Sequence, residues 1–241
     1  MSSPRAGDLF LNHSLTHSLT HSLSHSLSHS LSHSLSHVLW VGGSPCAGKT
    51  SVAGELGRRH GVHLYSADDH LADHARQADP GRQPSLHSFM NPDWDQFLVR
   101  RSVPEQVEEL LGAYREEWPY IVRDLLAMPT DHLILAEGVA LLPELVTAVI
   151  RRPSQALWMV PTSEFVHDTY PARRSALVRD VVGQCSDPAL AFENWMDRDM
   201  EFGCRVAEEA TRRGLRVIVV DGVLTIEELT RTVETHFGLD I

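Results

Sequence analysis

The chain has 241 residues, 42% of them hydrophobic, and a formal net charge of −11 at pH 7. That apolar content suffices for a packed core and excludes disorder throughout, while the acidic surplus repels nucleic acid and anionic membranes and leaves a small molecule as the expected partner. Three widely spaced cysteines, Cys46, Cys185 and Cys204, include no CxxC pair, which argues against a disulfide framework or zinc site and for a reducing cytoplasm.

The first recognisable segment is a repeat. From His13 to His37 the tetrapeptide His-Ser-Leu-Ser/Thr recurs, with histidines at 13, 17, 21, 25, 29, 33 and 37. On a helix a period of four turns each histidine about 40° from the last, so they trace a spiral and not one face. Pairs four apart could bind zinc or nickel, but tandem low-complexity sequence reads first as an incidental expansion. Residues 1–37 are therefore expected to form a disordered tail, with the folded domain at 38–241.

Val38-Leu39-Trp40-Val41 reads as the first strand and runs straight into Gly43-Ser44-Pro45-Cys46-Ala47-Gly48-Lys49-Thr50, followed by a helix to about His60. This is the GxxxxGK[ST] pattern in the context that gives it meaning, after a strand and opening a helix. Backbone amides of residues 44 to 50 are expected to converge on phosphate oxygens, with Lys49 supplying a mobile charge and Thr50 an oxygen for Mg²⁺. Of the 21 basic residues Lys49 is the single lysine. A compact ammonium reaching between phosphate oxygens does a job that a planar guanidinium does poorly.

A second strand, Val62 to Tyr65, ends at Ser66-Ala67-Asp68-Asp69, the carboxyl edge where open α/β sheets bind ligands. Ser66 and Asp69 have the spacing of a capping box, which assigns Asp69 to the helix start and leaves Asp68 as base or metal-linked carboxylate. Residues Gln77 to Asp95 hold Pro80, Gly81, Pro84 and Pro92 and read as irregular cover that could form a substrate-side flap. Val107, Leu110, Leu111, Tyr114, Trp118, Val122 and Leu125 then recur at helical spacing, predicting a core-facing helix bent near Pro119.

The third strand, Leu133 to Ala136, ends at Glu137-Gly138; Glu137 could reach a magnesium shell or an acceptor, or simply occupy a solvated turn. Glu137 and Glu144 also interrupt the best apolar run, Leu133 to Ile150, so no membrane span is expected, nor does the N-terminus show a signal-peptide core. A fourth strand, Ala156 to Val160, precedes Arg173, Arg174 and Arg179. Guanidiniums on a closing lid would stabilise the charge of a transferring phosphoryl group; a charged helix face is the alternative. Arg198, in Trp195-Met196-Asp197-Arg198-Asp199, is a further candidate. The fifth strand, Arg216 to Val220, ends at Asp221-Gly222, and Thr225 with Glu228 opens a last helix to about Phe237.

Four features together resemble the small-molecule P-loop kinases, in the nucleoside and nucleotide kinase-like family: the strand leading into GGSPCAGKTS, the SADDH after strand two, the AEG after strand three, and VIVVDG followed by TIEEL near the end. The resemblance spans residues 38 to 241. It implies a three-layer α/β sandwich, a parallel five-stranded sheet in the order 2-3-1-4-5, and a helical lid. It further implies ATP and Mg²⁺ as cofactors, with Ser44 to Thr50 around the β-phosphate and the Gly222 loop beside adenine. Lys49, Asp68, Arg173 and Arg174 would be catalytic; Thr50, Asp68 and Glu137 would serve the metal. Glu137 stands where the family carries a Walker B aspartate, and no subfamily's acceptor motif is visible. The implied activity is γ-phosphate transfer to a small-metabolite hydroxyl or phosphate, with a nucleoside or nucleotide among the acceptors. A nucleotide-binding switch or scaffold without acceptor is the rival reading.

Overall fold

The computed structural model describes residues 30–169 and 176–239. Five strands, β1 (Val38–Gly43), β2 (His63–Ser66), β3 (Ile134–Glu137), β4 (Ala156–Pro161) and β5 (Arg216–Val220), form one sheet in the order β2-β3-β1-β4-β5. Every pairing is parallel. The fold class is thus α/β with the expected strand order. Register decides what meets at the carboxyl edge: Glu137 pairs with both Val41 and Ser66, so β1, β2 and β3 end side by side.

Alternation along the strands feeds two cores. Val38, Trp40, Ile134, Ala136, Ala156 and Trp158 face one side. Leu39, Val41, Leu135, Leu157, Met159, Ile218 and Val220 face the other. The second side is covered by α1 (Lys49–His60), through Val52, Ala53 and Leu56, and by the C-terminal helix Ile226–Phe237, through Leu229 and Val233. That last helix starts with the expected capping box of Thr225 and Glu228. The first side lies under the long helices Val103–Ala127 and Pro188–Arg212, which contribute Val107, Leu110, Leu111, Tyr114, Phe202 and Val206. Three layers result, as residues buried on both sheet faces require.

In chain order the remaining helices are α2 (Ala67–Gln77), α3 (Pro84–Ser88), α4 (Val103–Ala127), α5 (Pro143–Thr147), α6 (Ser163–Thr169), α7 (Ala176–Val182), α8 (Pro188–Arg212) and α9 (Ile226–Phe237). α4 is one helix with Pro119 inside it. The segment expected to be irregular cover contains α3, held on α4 by the Leu86 amide donating to Glu116 Oε2 at 2.8 Å, and is followed by a π-helical turn at Gln96–Arg100. Among the described residues no helix is long and apolar enough to cross a membrane.

The end of the histidine repeat belongs to the packed unit, so the expected boundary at residue 38 is set too late. Residues 30–34 are helical, Leu35 is fully buried in the core under α4, and Leu31 packs against it. The backbone is tied in as well: the His37 carbonyl accepts from the Ile134 amide at 3.0 Å and the Ser36 carbonyl from Gln155 Nε2 at 3.1 Å. One leucine per tetrapeptide is enough to anchor a short segment once a groove exists for it. Leu35→Ala is expected to cost about 2–5 kcal/mol in urea unfolding. Equal stability of the L35A protein would show the segment to be incidental. Histidines 13 to 29 lie outside the described residues. Among the described residues no group of three or more His, Cys, Asp or Glu side chains could hold a metal.

Behind the carboxyl edge of β2, His74 of α2 is buried between two carboxylates of α4. Its Nδ1 lies 2.8 Å from Glu117 Oε1 and its Nε2 2.9 Å from Asp124 Oδ2. A neutral imidazole can donate from one nitrogen only, so with both carboxylates ionised this geometry requires the imidazolium. Burial acts to lower the His74 pKa, but the two carboxylates outweigh it and raise it. Burial pushes Glu117 up against the pull of His74, while at Asp124 the imidazolium and Arg123 overcome burial and hold the carboxyl down.

Candidate functional site

The loop from Gly43 to Gly48 bends β1 into α1 through backbone that few residues adopt. Gly43 has φ 127°, and a Cβ there would lie 1.9 Å from the Met159 carbonyl oxygen. Only glycine fits a strand end pressed so closely on its neighbour. Cys46 takes the left-handed region at φ 61°. The helix start at Gly48 carries no side-chain cap, and the first amide bonded back along it is that of Val52, to the Gly48 carbonyl at 3.0 Å. The amides of Lys49, Thr50 and Ser51 precede that bond, which is the arrangement that receives an anion at a helix N-terminus.

The expectation that all amides from 44 to 50 converge needs correcting at two positions. Pro45 has no N–H, and the Ser44 N–H donates to the Met159 carbonyl at 3.1 Å, which holds the loop to β4. Ser44 Oγ donates to the Asp199 carbonyl of α8 at 2.9 Å. Ser44 is therefore part of the loop's frame.

Lys49 is buried and folds back so that Nζ donates to the Ser44 carbonyl at 2.8 Å. Burial lowers its pKa, opposed by Asp68, Glu137, Cys46 and Asp199. Thr50 Oγ1 lies 3.3 Å from both carboxylate oxygens of Glu137. Glu137 has its pKa raised by burial and by the like charge of Asp68, against the pull of Lys49, Ser66 and Thr50. Two carboxylates beside one ammonium leave a local excess of negative charge, which a divalent cation would neutralise. Mg²⁺ needs only one or two protein oxygens when phosphates complete its shell, so Thr50 and Glu137 suit it without a closed protein cage.

Asp68, at the first turn of α2, accepts the Val139 amide on Oδ1 at 2.9 Å. Gly138 makes this approach possible: a Cβ there would meet Asp68 Oδ1 at 2.9 Å and the Ala67 side chain at 2.8 Å. Asp69 behaves as the capping-box spacing predicts, its amide donating to Ser66 Oγ at 3.4 Å. Loop, Asp68 and Glu137 thus come together at one sheet edge, above a cleft of about 650 Å³ whose walls include Lys49, Thr50, Asp68, Tyr114, Arg198 and Asp199.

Of the candidate arginines, Arg198 reaches this cleft. It donates through Nε and one terminal nitrogen to Asp199 Oδ1 at 3.0 and 2.7 Å, and its guanidinium lies 4.7 Å from the Trp195 ring centre. Arg179 is exposed on α7 and does not line the cleft. Arg173 and Arg174 lie outside the described residues. The sequence reading misses Tyr114, Asp199 and the aromatic wall from Phe89, Trp94, Phe97 and Trp195. Its one available signal is the aromatic content of the proline-rich cover, where Phe89 and Trp94 sit.

On the other side of the loop, the turn after β5 carries Val223, Leu224 and Ile226, all exposed and apolar, and Ile226 Cδ1 is the nearest atom to a Cβ built on Gly48, at 3.4 Å. No protein-family model matches this chain, nor does any curated protein.

Proposed function

We propose that this protein is an ATP·Mg²⁺-dependent phosphotransferase that moves the γ-phosphoryl group to the hydroxyl of a small molecule. One observation carries the reading: an uncapped helix start with a buried ammonium, a threonine hydroxyl and two carboxylates share one sheet edge, where Lys49, Thr50 and Asp68 line a cleft of about 650 Å³ and Glu137 stands behind Thr50. Lys49 and the amides at the start of α1 hold the phosphates, Thr50 and Glu137 hold Mg²⁺, and the apolar turn at Val223 to Ile226 gives the base a surface to lie on. Asp68, fixed by the Val139 amide, stands where an acceptor hydroxyl needs a base. Positioning and charge neutralisation supply most of the rate.

A switch that only binds nucleotide would have no use for a cleft running beyond the carboxylates between α2, α4 and α8. The test is calorimetry with Mg·ATP on the full chain, followed by ATP consumption with and without a pooled metabolite extract. Wild-type protein is expected to release heat on binding and to consume ATP faster with extract. Lys49→Ala is expected to weaken Mg·ATP binding by about 10–100-fold and to abolish the stimulation. Extract-independent turnover would favour the switch, and no heat at all would end the nucleotide reading.

A further inference from the structure

The acceptor end of the cleft is built from ring side chains on three separate elements. Phe89, Trp94 and Phe97 come from the cover after α3, Tyr114 from α4, and Trp195 and Phe202 from α8. They are ordered against one another: Trp94 stacks on Trp195 at 6.5 Å and 28°, meets Phe97 edge-on at 6.4 Å, and Tyr114 meets Phe202 edge-on at 5.8 Å. Leu71, Leu110 and Val139 add to the apolar lining.

The polar groups are few and mostly engaged. Among the described residues the cations lining the cleft are Lys49, which belongs to the phosphate loop, and Arg198, which is neutralised by two hydrogen bonds to Asp199 and stacked on Trp195. Asp199 Oδ2 also accepts from Trp195 Nε1 at 3.2 Å. Among the described residues no asparagine or glutamine lines the cleft, and apart from Thr50 and Ser51 at the start of α1 the one hydroxyl side chain is that of Tyr114. A sugar or nucleobase would lose water from several polar groups here without recovering the hydrogen bonds, and an anionic acceptor would meet Asp68 and, among the described residues, no cation beyond Lys49 and the paired Arg198.

Resting on the phosphotransferase reading, we propose that the acceptor is an uncharged, largely apolar, ring-bearing molecule whose single hydroxyl points out of the aromatic chamber toward Asp68. In the transfer the hydroxyl oxygen forms the new bond to the γ-phosphorus and the bond to the β,γ-bridging oxygen breaks. ADP departs, and the hydroxyl proton passes to Asp68. The chamber holds the ring system by stacking and exclusion of water, and its described walls offer a charged acceptor no counter-charge of its own.

The experiment uses 2-(2-naphthyl)ethanol as probe, with glucose and thymidine monophosphate as polar and anionic comparators. Binding to the full chain is measured by calorimetry, and phosphate transfer from radiolabelled Mg·ATP by chromatography. The naphthyl alcohol is expected to bind at least about tenfold more tightly than either comparator and to become phosphorylated. Trp94→Ala is expected to lower its affinity about tenfold while Mg·ATP affinity stays within twofold. Leu71→Asn, on a partly exposed position of a different element, provides the same test if the tryptophan variant folds poorly. Tighter binding of glucose or thymidine monophosphate, or an affinity indifferent to both substitutions, would overturn the proposal. Binding of the alcohol without any binding of Mg·ATP would instead refute the phosphotransferase reading and leave the chamber's preference standing.

Discussion

If the protein is the proposed phosphotransferase, Asp68→Asn is expected to lower the extract-stimulated rate of ATP consumption by about 10²–10⁴-fold, the range for removing a general base, while Mg·ATP affinity changes little. Asparagine is nearly isosteric and keeps an oxygen for the Val139 amide, so the turn between β3 and α5 is preserved. What is lost is a carboxylate able to take the acceptor's proton. Asp68 does not sit at the start of α1 as Lys49 and Thr50 do; it reaches the same space from the end of β2, with β3 between that strand and β1. A fall in rate matched by an equal fall in nucleotide affinity would assign Asp68 to phosphate or metal binding. An unchanged rate would remove it from the chemistry.

The second large effect is on stability. His74→Leu leaves Glu117 buried with no cation beside it and is expected to cost about 3–5 kcal/mol, measured by urea unfolding near pH 6. The double variant H74L with Glu117→Met recovers part of the loss, because a buried ion pair can be exchanged for apolar packing far more cheaply than it can be halved. The pH dependence has a defined sign. The folded-state pKa of His74 is raised above its ordinary value of 6.5, so its contribution is complete below that value and is lost as pH rises through the raised one. The folded-state pKa of Asp124 is depressed below its ordinary 3.8, so its contribution is present above that value and is lost on acidification through the lower one. In H74L the pKa of Glu117, already raised by burial, loses the pull of His74 and rises further, so acidification neutralises the buried carboxylate; the gap between wild type and H74L is therefore widest at about pH 6.5 and narrows toward either side. A gap that widened steadily toward alkaline pH would mean that the ring is neutral in the folded protein.

The clamp also bears on the site. α2 carries Asp68 in its first turn and His74 two turns on, and Glu117 lies close enough to Asp68 to feel its charge. Fixing α2 to α4 through His74 fixes the direction from which Asp68 enters the cleft, a precondition for catalysis by positioning.

Much of what depends on contiguous residues was legible in the sequence by itself, although the helices Pro84–Ser88 and Pro188–Arg212 were not predicted. Strand periodicity, the glycine-lysine loop opening a helix, and the Ser66–Asp69 and Thr225–Glu228 caps are each written within a dozen residues. Short-range backbone geometry and alternation of apolar side chains suffice to specify them. The parallel sheet in the order β2-β3-β1-β4-β5 agreed with the family resemblance. Tertiary structure alone decided the rest. That Pro45 and Ser44 brace the loop, that Leu35 of the repeat is core, that His74 sits between two carboxylates over 40 residues away, and that Phe89, Trp94, Tyr114 and Trp195 face one cavity all depend on which helix face meets which neighbour. A periodic pattern says that a side is buried but not against what. An aromatic residue has the same local signature whether it fills a core or lines a cleft, so its role follows from packing between elements distant in the chain.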